Sequence, residues 1–321
     1  MIAIWLMRAL PYLLTLGTGM VLLIGADPYW IQIVLGAGLL ASLALSWDLL
    51  SRTGQVSLGQ AAFFGIGAYA SALSGDLGWI TGWIVAAAVC GIAAFLLGLL
   101  TLRLRQVYFT IATMALSLSF KVLILVFGSF TGGASGISPP IIGDGDPVVQ
   151  MAAVLALLML SLAASDIFLS DRYRPAFFMI RSKPSLAAAS GIPIVRMKVL
   201  AFVVSGVLAG LAGAAFGGLY GYIVPDDVFA LSWSIMPLAA TVLGGMDSTI
   251  GPFFGAIALK ILEGVARSYI GGVGYQVVYG AVMIVFIAVL PKGLAGLLAS
   301  VREATSQPRC ETGRTLTKRV L

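Results

Sequence analysis

The chain has 321 residues and not one histidine. The side chain most used for proton transfer near neutral pH, and the commonest metal ligand, is therefore missing. A Ser-His-Asp set is excluded, and no zinc motif is present. Cysteine is almost absent too: Cys90 lies in an apolar run and Cys310 in a polar C-terminal stretch. No CxxC pair occurs, and the contrast in surroundings argues against a disulfide. Cys90 reads as a small core residue. Charge is scarce, at 10% of residues, against about 25% in soluble domains. No Gly-x-x-x-x-Gly-Lys-[Ser/Thr] segment is found, so the chain has no P-loop. These absences argue against enzyme chemistry, a metal or a cofactor in this chain. If ATP drives it, another polypeptide must bind the nucleotide.

What is present is apolar: 60% of residues are hydrophobic. A soluble core cannot hide that much surface, so the fold class is an all-α polytopic membrane protein. Ten candidate transmembrane or re-entrant helices emerge at roughly 9–25, 31–51, 57–75, 79–101, 107–128, 148–169, 199–222, 231–246, 250–268 and 274–290. The first reads as a retained helix, because no small-x-small cleavage site closes the run before Asp27. Residues 1–301 form one membrane unit. Residues 302–321 form a basic tail without an apolar face, expected to be disordered.

Alternating the spans from an inside N-terminus sorts the charges. Arg52, Arg103, Arg105, the 171–198 segment, Lys292 and the tail fall on one side. Asp27, Asp76, Asp144, Asp146, Asp226 and Asp227 fall on the other, without Lys or Arg. Lys and Arg resist translocation, so both termini are expected in the cytoplasm. The net charge of +6 then reflects topology rather than nucleic-acid binding. The 171–198 segment carries Arg172, Arg174, Arg181, Lys183, Arg196 and Lys198 with Asp171 as its only acid, and offers a surface to a cytoplasmic partner. The spans 231–246 and 250–268 are short and share a Gly-rich turn, so half-helices are an alternative there. The loop 129–147 is too polar and broken to span; a ligand-receiving surface and a flexible connector both fit it.

Three patterns stand out inside the membrane. Gln55, Ser57 and Gln60 place hydrogen-bonding groups at a helix start, where polar side chains face a bundle interior or an aqueous path. Interhelical bonding alone accounts for them equally well. A weaker echo of this Gly-rich segment lies at 244–257, as a transporter with internal repeats can show. Gly206, Gly210, Gly213 and Gly217 recur at spacings of three and four, a stripe for close helix packing. Of the few charges within spans, Asp48 can pair with Arg52, and Glu263 with Lys260 or with Arg267. Lys121 has no local partner; snorkelling or a meeting with Glu263 across the bundle is expected.

Four stretches together resemble one family. They are Gly54-Gln55-Val56-Ser57-Leu58-Gly59 running on to Tyr69; Leu102-Arg103-Leu104-Arg105 leading into Tyr108-Phe109-Thr110; Thr131-Gly132-Gly133 with Ser135-Gly136-Ile137; and Gly191-Ile192 through Phe202 with Leu208 to Ala214 and Leu243-Gly244-Gly245-Met246. Over nearly its whole length the chain is similar to the LivM-like permease subunits of bacterial branched-chain amino acid ABC importers. The resemblance implies a permease domain over 1–301 in the bacterial inner membrane. It also implies a homologous LivH-like permease, two cytoplasmic ATPase subunits holding the ATP, and an outer solute-binding protein. The 171–198 segment becomes the ATPase-coupling loop, with Arg181, Lys183, Leu186, Ala187, Ala189 and Gly191 at the contact. Gln55, Ser57 and Gln60 become candidates for the translocation pathway. Two departures are visible: Ala189 stands where relatives commonly carry Glu, and Gln60 where they often carry His.

The leading function is thus an importer permease for branched-chain or related amino acids. Urea, amides or other small polar solutes are the alternative cargo. A different class, an ion-coupled transporter or channel, would use Lys121, Lys260 and Glu263. A structural membrane subunit without a pathway is the third reading.

Overall fold

The computed structural model describes residues 28–75, 78–101 and 106–270, together with 10–15, 17, 104 and 280. Among these the chain is helical, with one isolated antiparallel bridge between Ile137 and Ile223. The principal helices are α1 (Pro28–Ser51), α2 (Gln60–Leu73), α3 (Trp79–Thr101), α4 (Gln106–Val126), α5 (Pro147–Phe168), α6 (Arg174–Ser182), α7 (Pro184–Ala189), α8 (Ile194–Tyr220), α9 (Ser232–Gly244) and α10 (Ile250–Ile270). Six segments of the described residues are long and apolar enough to cross a membrane. The protein is a multi-pass membrane protein.

Local chemistry sets the helix ends. Asp146 caps α5, its carboxylate accepting from the Val148 N–H at 2.9 Å, and Pro147 supplies the first helical residue. Helix α8 stops at Gly221, whose φ of 69° is left-handed.

Two elements are shorter than the sequence suggests. The span expected over 57–75 is helical only from Gln60, and residues 55–59 are irregular. Its 14 residues reach about 21 Å, less than the ~30 Å hydrocarbon thickness. Of the two suspected half-helices, α9 is short, with 13 residues, while α10 runs for 21. The 171–198 segment holds two helices, α6 and α7, before α8 begins. The expected spans 9–25 and 274–290 lie mostly outside the described residues. Both termini, and with them the tail 302–321, lie wholly outside.

Lipid is as apolar as a leucine side chain, so burial of greasy surface does not drive these helices together; close packing and hydrogen bonds do. Helix α8 occupies the centre, against α1, α2 and α3. Its glycines allow the approach. A methyl group at Gly213 would overlap the Phe64 carbonyl, and one at Gly210 would overlap the Cys90 sulfur. Across the same seam, a methyl at Gly67 would overlap the backbone of Gly210. Gly206 faces Ala94 and Phe63, and Gly217 faces Pro139. By contrast α3 and α4 leave Ile84, Leu100, Val107 and Val126 exposed, faces suited to lipid or another membrane chain.

The 129–147 loop is pinned at several points. Ile137 and Ile223 exchange both backbone hydrogen bonds at 3.0 Å, Tyr222 donates to the Ser135 carbonyl, and Ile142 is fully buried. Thr131 closes the end of α4 through the Ile124 carbonyl at 2.6 Å.

Valine at Gly213 puts side-chain atoms where the α2 backbone lies. A loss of about 1–3 kcal/mol is expected, read as a lower unfolding temperature in detergent. An unchanged temperature would count against the α2–α8 seam.

Candidate functional site

Helix α7 is built by local rules. Pro184 opens it at the first helical position. It closes in a Schellman motif: Gly191 N–H donates to Ala188 O at 3.0 Å and Ile192 N–H to Ala187 O at 3.1 Å. Gly191 has φ 76°, and no atom lies within 4 Å of where its Cβ would be. The glycine therefore serves backbone conformation, not space. Ala187 is fully buried, while Arg181, Lys183, Leu186, Ala189 and Gly191 are exposed. The result is a small helix anchored by one alanine, with the rest of its surface open.

Helix α6 is amphipathic and ties α7 to the bundle. Phe177 and Ile180 are buried with Leu49, Phe168, Ala187, Ala201 and Leu208 in one cluster. Phe168 and Phe177 stack at 5.3 Å, and Tyr173 joins the same stack. Arg181, at the far end of α6, donates from Nη1 to both carboxylate oxygens of Asp247, at 2.9 and 2.7 Å. Gly54, with φ 82°, sits against the same arginine: an added Cβ would lie 3.3 Å from Arg181 Cα.

Behind this contact lies a buried polar network. Arg52 pairs with Asp48, whose side chain has no exposed surface, and Arg52 Nε donates to its Oδ2 at 2.8 Å. Arg52 also donates to the carbonyl and hydroxyl of Ser165, at 3.0 and 2.8 Å. The Asp247 N–H donates to Asp48 Oδ1 at 3.2 Å. Thr249 donates to Asp166 Oδ1 at 2.7 Å, and Tyr12 donates to Asp166 Oδ2 at 2.7 Å. Burying charge is tolerable only when it is paired and hydrogen-bonded, and Asp48 and Arg52 are both. The network joins α1, α5 and the α9–α10 turn at one end of the bundle.

The irregular residues 55–59 lie inside the protein, and their backbone is served by side chains of other elements. Trp47 Nε1 donates to Ser57 O at 2.8 Å and Thr110 to Val56 O at 2.7 Å. Leu58 N–H donates to Thr113 Oγ1 at 3.2 Å. Ser234 donates to Leu58 O at 2.7 Å and accepts from Ala61 N–H at 3.0 Å. Irregular backbone at membrane depth survives only with such service. Gln55, Ser57 and Gln60 are all buried. Gln60 Nε2 donates to Ser205 Oγ at 2.9 Å, and Ser57 Oγ accepts from Gly59 N–H at 3.0 Å. Gln55 Oε1 and Gln60 Oε1 have no hydrogen-bond partner.

The remaining intramembrane charges resolve into pairs. Lys260 meets Glu263 at 2.8 Å, one turn away. Lys121 does not meet Glu263 but reaches outward, the other expectation, and pairs with the exposed Asp226. Glu263 is on α10, which packs on α1 and α9 rather than on α4. The long Lys121 stem instead reaches the bundle end that carries Asp226. Among the described residues no group of three His, Cys, Asp or Glu could hold a metal. Sequence reasoning missed Asp166, Asp247 and Ser234. Asp166 was within reach, since it lies inside the expected span 148–169 and falls under the same rule as Asp48.

The family model described as "Branched-chain amino acid transport system / permease component" matches residues 29–287. The "High-affinity branched-chain amino acid transport system permease protein LivM" of Salmonella typhimurium is 29% identical over 296 residues, covering 82% of this chain and 67% of that protein. The corresponding LivH permease protein of Escherichia coli is 26% identical over 193 residues, 56% of this chain and 62% of its own. The "Autoinducer 2 import system permease protein LsrC" of Yersinia pseudotuberculosis is 26% identical over 239 residues, 71% of this chain and 66% of its own. No solved structure matches significantly.

Replacing Asp48 by Ala leaves Arg52 buried and short of its carboxylate. A loss of about 3–5 kcal/mol is expected, measured as reduced accumulation and earlier thermal unfolding. Wild-type behaviour would mean that the buried pair carries no weight.

Proposed function

The chain belongs to the permease-component family of branched-chain amino acid transport systems, and from that premise we propose how it works. It is a permease subunit of an ABC importer. In our reading it forms half of a pathway in the bacterial inner membrane, beside a homologous LivH-like permease. Two cytoplasmic ATPase subunits supply the ATP, and an outer solute-binding protein supplies the cargo. The 171–198 end of the bundle then faces the cytoplasm.

The observation that carries this reading is the mounting of α7. Its Schellman stop, its proline start and the buried Ala187 make it a rigid projection, while its other residues are open to a partner. Leu186, Ala189 and Gly191 offer small, shape-based contact. Arg181 is already engaged by Asp247, so Lys183 rather than Arg181 is the cation offered to an acidic groove or a helix C-terminus. The two unpartnered amide oxygens, Gln55 Oε1 and Gln60 Oε1, support a pathway beside the break in α2. Buried acceptors lacking partners are costly, and water entering an opened path removes that cost.

Branched-chain or related amino acids are the proposed cargo. The similarity to an autoinducer 2 import permease over 71% of the chain favours, as a second reading, another small polar solute. Ion-coupled transport draws no support, because Lys121, Lys260 and Glu263 are each held in an ion pair.

Exchange of Ala187 to Gly191 for a Gly/Ser linker is expected to abolish ATP-dependent leucine uptake by the assembled importer and its co-purification with the ATPase. Normal uptake would sink the coupling role. Uptake of urea or an amide with no competition from leucine, isoleucine or valine would move the cargo to the second reading.

A further inference from the structure

Asp247 stands between the exposed loop and the buried base of the bundle. Its carboxylate holds Arg181 of α6, and its N–H reaches Asp48. Its φ of 64° is left-handed, in a turn where Gly245 has φ 105°. From this turn α9 runs to Ser234, which grips the break before α2 through Leu58 O and Ala61 N–H. The turn is stiff on the α10 side. Gly244 and Gly251 touch backbone to backbone, and Gly255 meets the Ala240 carbonyl.

We propose that Arg181, Asp247 and Ser234 are positioning residues on one mechanical line, by which displacement of α6 and α7 reaches the Gln55–Gln60 break. This rests on the importer reading above. The Asp48–Arg52–Ser165 unit fixes α1 to α5 and acts as the stationary part. The Arg181–Asp247 pair is the moving part. Three features suit it to that duty. Its side chains are 38% and 54% exposed, so the pair is weak enough to break and re-form. A cavity of about 630 Å³ beside it, lined by Arg174, Phe178 and Ser182 among others, gives Arg181 room to move. And α9, at 13 residues with Pro237 inside it, spans about 20 Å from the Ser234 end to the turn that carries Asp247.

The test uses the importer assembled with its partners in proteoliposomes, reading solute uptake against ATP hydrolysed. Asp247→Asn removes the charge but keeps the backbone N–H, and asparagine tolerates positive φ. It is expected to lower uptake per ATP at least about fivefold, the floor for a coupling between sites, with ATP hydrolysis retained. Arg181→Asp should do the same, and Arg181→Lys, which keeps the charge, should retain most of the ratio. Ser234→Ala should uncouple as well. Combined with Asp247→Asn, its loss should equal the larger single loss, since both lie on one line. An unchanged ratio in Asp247→Asn, or a loss in Arg181→Lys as large as that in Arg181→Asp, overturns the ionic link. Losses that multiply in the Ser234→Ala combination overturn the role of α9 as the connection. Absence of ATP-dependent uptake by the wild-type complex would instead overturn the importer reading itself.

Discussion

The buried pair of Asp48 and Arg52 is the constraint around which one end of this bundle is arranged. Two full charges with almost no exposed surface demand that each donor and acceptor be met. Meeting them fixes the neighbours. Arg52 needs the Ser165 carbonyl and hydroxyl, which sets α5 beside α1. Asp48 has a second oxygen to satisfy, and the Asp247 N–H does so. That places the α9–α10 turn, and the Asp247 carboxylate, set by the same turn, is left facing outward for Arg181. The cytoplasmic loop of the proposed importer is thus seated by a chain of electrostatic obligations that begins on α1.

A second demand acts in the middle of the bundle. Residues 55–59 give up helical hydrogen bonding, and Trp47, Thr110, Thr113 and Ser234 return it from four other places. A continuous helix satisfies itself; a broken one is satisfied only by its neighbours and so follows them when they move. The glycine seam between α2 and α8 keeps this region close-packed. The unit therefore has a tight interior with one segment whose bonding is borrowed.

What the sequence revealed follows the range of the interaction. Pro184 acts on its own backbone and marks a helix start, while the helix itself was implied only by the family resemblance. Asp48 with Arg52, and Lys260 with Glu263, lie within one turn and were legible for the same reason. The glycine stripe of α8 showed in its spacing. The length of α2 did not show, because the break is maintained by Thr110, Thr113 and Ser234, distant in sequence. The partner of Arg181 lies 66 residues away, in a turn with no pattern to announce it. For Lys121, Glu263 is out of reach because α10 packs on α1 and α9 rather than on α4, and helix neighbours are a tertiary fact.

The bridge between Ile137 and Ile223 has a consequence of its own. A loop rich in glycine would ordinarily surrender backbone freedom when another molecule settles on it, at about 1–2 kcal/mol per residue fixed. Here that entropy is already spent during folding, through the Ile137–Ile223 exchange, the Tyr222 contact and the burial of Ile142. Whatever lands on this end of the molecule meets a finished relief. Recognition there becomes a matter of matching contours, with no ordering of this loop to subtract from the affinity.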